Sequence, residues 1–157
     1  YTLISANSKY DHVTRDHTAT FTPLEQQGYA LFEAKCASCH KGTLFTDESF
    51  RNIGFPEHPD TVEEAGRGRV TGGEDDLYRF RVPSLRNVEY TAPYGSFGQF
   101  ATLKEVLDYF DSGVKYYPNL DPILKNNGRR IALTEEEKEA LIAFMHTLSD
   151  PKFIGRN

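Results

Sequence analysis

The pentapeptide Cys36-Ala37-Ser38-Cys39-His40 constrains this chain more than any other stretch. Two cysteines three positions apart, with a histidine directly after the second, form the pattern that attaches a c-type haem. On a helix, positions i, i+3 and i+4 share one face, so both thiols could bond the porphyrin vinyls while the imidazole reaches the iron. We therefore predict one covalent haem c, held by Cys36 and Cys39, with His40 as the proximal iron ligand.

Three other uses of a cysteine pair remain open. A thioredoxin-like redox pair has the same Cys-x-x-Cys spacing but needs no following histidine. A structural zinc site needs two further soft ligands, and the chain contains only two cysteines. A plain disulfide could form in an oxidising compartment. The histidine at the fifth position favours haem over all three.

Length and charge argue against some classes of partner and of location. The chain has 157 residues and a formal net charge of −5 with acids and bases interspersed, which argues against a nucleic-acid partner. We expect one domain that does not span a membrane, because no apolar run approaches the ~20 residues of a membrane helix. Attachment of c-type haem is expected outside the cytoplasmic membrane, so we predict a periplasmic or similar location.

Three helices are predicted from capping boxes, in which a threonine and a glutamate three residues later satisfy free backbone amides. The pairs are Thr22 with Glu25, Thr102 with Glu105, and Thr134 with Glu137. The first predicted helix leads into the haem motif, and Gly28 within it would let another helix approach closely. The second ends at Ser112-Gly113, and the third ends before Pro151.

The remaining sequence is predicted to be irregular. Eight of the twelve glycines lie between residues 41 and 98, along with many aromatic side chains. A loop of this length is reasonable if it wraps a large flat cofactor. Residues 1–21 are polar and are predicted to be a connecting segment, followed by a haem domain at 22–157. The expected fold is all-α and cytochrome-c-like, with three main helices and long irregular haem-wrapping loops.

Several blocks of sequence carry a resemblance to a known family. They are Gly28–Phe32, Phe50–Gly54, Arg81–Val88, Thr91–Tyr94, Thr102–Val106 and the closing stretch from Leu133 to Leu148. In this order they resemble the C-terminal haem domain of the bacterial di-haem cytochrome c peroxidases, a family that includes the oxidase that matures methylamine dehydrogenase. Residues 2–11 resemble the interdomain segment of those proteins. The resemblance implies that the chain begins partway through a longer polypeptide.

The resemblance also implies a function. Such a domain takes electrons from a small donor protein, a cytochrome or a cupredoxin. It passes them to a partner haem, in a second domain or chain, that reduces hydrogen peroxide to water. Two alternatives remain: a mono-haem electron-transfer cytochrome or subunit of a larger redox complex without peroxidase activity, and a protein-modifying di-haem oxidase. No catalytic acid or base is identifiable in the sequence.

The second axial ligand of the iron is where this chain departs from the family. The resemblance places a methionine or tyrosine at the end of the helix opened by Thr102, and here that position is Phe110, which has no lone pair. Tyr109 is adjacent but about 100° around the helix. Met145, which we expect in the core, and His58, in a proline-flanked loop, are the other candidates. We expect either an open or water-bound iron, or an atypical ligand.

Further cofactor contacts follow by analogy. We expect the backbone carbonyl of Pro83 to accept a hydrogen bond from the proximal imidazole. Arg86 and Arg67 are candidates to pair with the haem propionates, although a solvated surface role is the alternative. The resemblance also suggests a calcium ion bound by backbone oxygens of Thr91 and Pro93.

Overall fold

A computed structural model describes residues 5–56 and 65–153 of the chain. The described part is mostly helical, with one small antiparallel sheet. In chain order its elements are α1 (Lys9–Thr14), α2 (Pro23–Lys35), β1 (Phe50–Arg51), α3 (Gly68–Thr71), β2 (Phe80–Arg81), α4 (Leu103–Asp108), α5 (Pro122–Asn126) and α6 (Glu135–His146). Short 3₁₀ turns cover Glu74–Asp76 and Val88–Tyr90, and a π-helical turn covers Tyr109–Gly113. In the sheet, Phe50 lies opposite Arg81 and Arg51 lies opposite Phe80.

The predicted capping boxes define the starts of the three main helices. Both halves of the box form at the beginning of α2 and of α6. At α4 only half of it forms: the Thr102 side chain accepts from the Glu105 amide, but the Glu105 carboxylate accepts from the Ala101 amide instead. The three helix starts were therefore predictable from local sequence.

The haem motif does not continue the helix, contrary to the prediction. Helix α2 ends at Lys35, and Cys36 is its C-cap residue. The amides of Cys39 and His40 both donate to the Cys36 carbonyl oxygen, at 3.1 and 3.0 Å. The motif thus forms a tight hydrogen-bonded turn, which still keeps the two thiols and the imidazole within a few residues of one another.

The N-terminal segment is more ordered than predicted. Residues 9–14 form α1, whose start carries its own capping box. The Asp11 carboxylate accepts two hydrogen bonds from the Arg86 guanidinium, at 2.6 and 2.8 Å, and the Tyr10 ring packs 4.9 Å from the Phe45 ring. The prediction of irregular structure is therefore wrong for residues 9–14. The assignment of residues 1–21 as an interdomain connection stays a prediction.

Helices α2 and α6 cross in close contact and form the centre of the main core. A Cβ atom at Gly28 would overlap the carbonyl oxygen of Ala140 and lie 2.8 Å from the Cβ of Phe144. Glycine is therefore required at this crossing, as the sequence predicted. Phe32, Phe144 and Leu141 are almost fully buried beside it.

A second apolar cluster is centred on Tyr109, Val114, Leu120 and Leu124. Leu124 belongs to α5, which begins with Asp121 as its N-cap and Pro122 in the first turn. This short helix lies in a stretch that the sequence analysis treated as loop. Members of both clusters line one large cavity, and the residues between 41 and 98 contribute further parts of its wall.

Candidate haem site

One cavity formed by the described residues has a volume of about 540 Å³, which lies within the usual range for cofactor sites. Cys36, Cys39 and His40 all line it. Most of the remaining wall is apolar, including Ile53, Phe55, Phe80, Val82, Leu103, Phe110, Leu141 and Met145. Two thiols and an imidazole on a large apolar cavity fit the predicted covalent haem.

The two thiols are free and are not joined by a disulfide. Burial, with a smaller contribution from the neighbouring Cys39, raises the pKa of the Cys36 thiol to about 12. Burial also raises the pKa of Cys39. Because the thiolate is the form that ligates metals and attacks disulfides, this environment favours neither a zinc site nor a redox pair.

The His40 ring is oriented by a backbone carbonyl. Its Nδ1 lies 3.0 Å from the Phe45 carbonyl oxygen, which can only accept, so Nδ1 carries the proton. Burial lowers the pKa of His40, and it outweighs the opposing effect of the Phe45 and Pro83 carbonyls. This environment favours the neutral ring, with Nε2 available as a ligand.

The predicted acceptor, Pro83, lines the cavity and contributes to the environment of the imidazole. The hydrogen bond at 3.0 Å, however, is to Phe45. Phe45 is fully buried and has a positive φ of 53°. The sequence could not identify Phe45 as the partner of His40, because a residue of any type has a backbone carbonyl.

The candidates for the second axial ligand are placed differently. Phe110 lines the cavity, as the resemblance implied for this position. Tyr109 is buried but does not line it, and its hydroxyl donates to the Ile53 carbonyl at 2.9 Å. Burial raises the pKa of the Tyr109 phenol well above its usual value. The Tyr109 hydroxyl is therefore already hydrogen-bonded away from the cavity, and its role as an iron ligand stays a prediction that this contact does not favour.

Met145 lines the cavity and belongs to the buried main core. It thus has the packing role expected of it and also remains a ligand candidate. His58 lies outside the described residues.

Neither predicted propionate partner is among the residues that line the cavity. Arg86 donates to Asp11 and to the Thr43 carbonyl, and Arg67 pairs with Asp76 at 3.2 Å. Both guanidinium groups thus already have carboxylate partners, and their pairing with haem propionates stays a prediction that these ion pairs do not favour. The sequence contains five arginines between 67 and 86, and their spacing could not distinguish among them.

Arg81 is a cavity-lining arginine that the sequence analysis did not single out. It pairs at 3.0 Å with Glu48, and both side chains are more than half exposed. A weakly held arginine at the cavity rim is better placed for a carboxylate than Arg86 or Arg67.

A second cavity-lining arginine, Arg51, is fully engaged. It donates to Ser49 at 2.8 Å, to Asp47 at 2.7 Å and to Asp121 at 2.9 Å. Burial acts to raise the pKa of Asp47, but hydrogen bonds from Ser49 and Arg51 hold that pKa well below its usual range. Burial likewise acts to lower the pKa of Arg51, and its bonds to Asp47 and Asp121 outweigh this and raise it.

Thr91 and Pro93, the predicted calcium ligands, both line the cavity. Within residues 5–56 and 65–153 no group of three or more His, Cys, Asp or Glu side chains could hold a metal ion. The predicted site uses backbone oxygens, so calcium binding stays a prediction. None of the helices in these two ranges is long and apolar enough to cross a membrane.

Comparison with known proteins places this geometry in context. Residues 25–149 match the cytochrome c family model. The chain is 34% identical to a cytochrome-c peroxidase, IdrP1, of Denitromonas iodatirespirans, covering 93% of this chain and 48% of that protein. It is 32% identical to the methylamine utilization protein MauG of Methylorubrum extorquens, covering 94% of this chain and 40% of that protein.

A comparison with solved structures also finds a relative with this fold. The chain superposes with a TM-score of 0.84 on the crystal structure of a MauG-like protein associated with microbial copper homeostasis, at 30% identity. The match covers 96% of this chain and 50% of that one. The predicted cytochrome-c-like helical fold is confirmed, and the chain spans about half the length of these relatives or less.

Proposed function

This chain belongs to the cytochrome c family, whose cofactor is haem c, and we propose that it is the C-terminal haem domain of a di-haem cytochrome c peroxidase. In that role it receives electrons from a small donor cytochrome or cupredoxin and passes them to a second haem, where hydrogen peroxide is reduced to water. One observation supports this most: a chain whose similarity to peroxidases covers 93% of its length has Cys36, Cys39 and His40 together on one apolar cavity.

The residues of the cavity have distinct tasks in this proposal. Haem c, when bound, supplies a one-electron redox couple. Cys36 and Cys39 would hold it covalently, and the Nε2 of His40 would be free to act as the proximal ligand. The Phe45 carbonyl keeps the imidazole in one tautomer and orientation. The apolar wall keeps water away from the cofactor.

Met145 lines the cavity but packs in the buried main core, and we further propose that it keeps this packing role, so that a bound haem iron would have no strong second axial ligand. Phe110 occupies the cavity wall at the expected position, and the Tyr109 hydroxyl is bound to Ile53. Exchanging a sulfur ligand for water lowers the reduction potential. The ferric protein should therefore be mostly high-spin by optical and paramagnetic-resonance spectroscopy, and a low-spin His/Met spectrum at rest would contradict this.

A pure electron carrier is the second candidate. Peroxide chemistry needs a free acid or base beside the iron, and among the described cavity-lining residues the only carboxylate is Asp121, which is bound to Arg51. The absence of a free carboxylate on the described part of this wall therefore favours electron transfer as the task of this domain under both candidates. The two candidates differ in whether a second haem, outside this domain, reduces peroxide.

The test uses the natural polypeptide that contains this chain. Its intact mass gives the number of haems, and oxidation of a pre-reduced donor cytochrome on adding hydrogen peroxide gives the activity. We expect two haems and peroxide-dependent donor oxidation in a periplasmic fraction. A protein that accepts electrons from the donor without peroxide turnover would identify a carrier instead.

A further inference from the structure

Arg51, Asp47 and Asp121 form a compact charged group beside the haem cavity. The guanidinium contacts Asp47 at 2.7 Å and Asp121 at 2.9 Å. The side chain of Arg51 is 21% exposed, and those of both aspartates are 8% exposed. Arg51 and Asp121 line the same cavity as Cys39. We call these three residues the Arg51 clamp.

The clamp joins three segments that surround the cavity. Asp47 follows the haem motif, and its amide donates to the Cys39 carbonyl at 2.9 Å. Arg51 lies in β1. Asp121 caps α5 through its side chain, and its own amide donates to the Asn52 carbonyl at 2.9 Å. The clamp is therefore linked to the turn that carries the haem motif by the hydrogen bond between Asp47 and Cys39.

The charges of the clamp do not cancel. One guanidinium and two carboxylates leave one net negative charge in a poorly solvated place, where charges are screened less than at the surface. Ferric haem carries one more positive charge than ferrous haem. A fixed negative charge beside the cofactor therefore stabilises the ferric form.

From this geometry we propose that the net negative charge of the Arg51 clamp lowers the reduction potential of the haem that would be attached at Cys36 and Cys39. This rests on the proposed haem site. The clamp is not a propionate site, because all three guanidinium nitrogens already have acceptors and two carboxylates would repel a third. Its effect is on the one-electron equilibrium between ferric and ferrous iron.

The test is a spectroelectrochemical titration of the haem-loaded protein at pH 7. Asp47→Asn and Asp121→Asn each remove one negative charge, and asparagine can still cap α5. We expect each to raise the midpoint, changing the reduction equilibrium by about threefold to tenfold, at most about 59 mV for one electron. Arg51→Gln removes the positive charge and should lower the midpoint by a similar amount. Arg51→Lys should stay near the unmodified protein.

The opposite signs separate an electrostatic role from a merely structural one. Loosening of the loops would move the aspartate and arginine variants in the same direction. Asp16→Asn, which changes an aspartate paired with Arg15 away from the cavity, is the matched control. Shifts of one sign, or shifts no larger than that of the control, would overturn the proposal. Failure of the haem assignment itself would appear separately, as absence of haem absorption in the unmodified protein.

Discussion

In the proposed haem site, Phe110 stands at the position where a second axial ligand is expected. It lines the cavity while the adjacent Tyr109 hydroxyl is held by the Ile53 carbonyl. We expect Phe110→Met to supply a thioether ligand, convert the ferric haem from high-spin to low-spin and raise its reduction potential. Paramagnetic resonance and a redox titration of the haem-loaded variant measure both effects.

Tyr109→Phe is the control for that substitution. It removes the hydrogen bond to Ile53 and should cost about 1 kcal/mol of stability, without changing the spin state. A Phe110→Met protein that remains high-spin would show that position 110 does not face the iron. A change of spin state in Tyr109→Phe would show that the phenol reaches it.

The buried ion pair between Asp11 and Arg86 makes stability depend on pH. Burial would raise the pKa of Asp11, but hydrogen bonds from Arg86 and Ser8 outweigh it and lower that pKa from 3.8 to about 2. Because the folded-state pKa lies below the unfolded value, the stabilisation is fully present above about pH 4 and is lost as the pH falls toward 2.

We therefore expect Asp11→Asn to cost about 2 kcal/mol or more at pH 7, since it leaves the Arg86 charge without its partner. The difference from the unmodified protein should shrink between pH 4 and pH 2. Urea unfolding of both proteins across this range measures it. A difference that stays constant with pH would argue against the ion pair as its source.

At the level of elements, the crossing of α2 and α6 depends on Gly28. Alanine normally favours a helix over glycine by about 1 kcal/mol. Here, however, the added methyl group would overlap the Ala140 carbonyl oxygen, which is backbone and cannot move aside alone. We expect Gly28→Ala to destabilise the fold by about 2 kcal/mol or more, measured by chemical unfolding.

Gly73 provides the comparison for this prediction. An added Cβ there would meet only the Thr71 hydroxyl oxygen, at 3.6 Å. Gly73→Ala should therefore change stability by less than about 0.5 kcal/mol. Equal effects of the two substitutions would mean that the helix crossing tolerates a larger separation than the structure indicates.

The helices that could be predicted from sequence are defined by nearby side chains, whereas those that could not depend on distant contacts. The starts of α2 and α6 depend on side chains three residues apart, so local sequence sufficed. Helix α1 also begins with a capping box, formed by Ser8 and Asp11. The helix itself is only six residues long, and it is held in place by the bond from Arg86 to Asp11, 75 residues away. The end of α2 at Lys35 depends on how the haem motif turns, which periodicity does not reveal.

For the molecule as a whole, the attachment motif was predictable and its surroundings were not. Cys36, Cys39 and His40 are adjacent in sequence, so their chemistry follows from spacing. The contact between Arg51 and Asp121 joins residues 70 positions apart. Such pairs arise only when the chain folds around the cavity, and the same holds for the contact between Arg86 and Asp11, which are 75 positions apart.

The cavity also predicts how far the fold depends on its cofactor. Both apolar clusters contribute side chains to a space of about 540 Å³, and these side chains lack contacts on one side unless haem fills it. We expect the double variant Cys36→Ser and Cys39→Ser to retain no haem after denaturation and to melt about 10 °C lower or more. Circular dichroism with haem absorption measures both, and Ser38→Ala is the control within the same turn. An unchanged melting temperature in the double variant would mean that the two apolar clusters hold their packing without covalent haem.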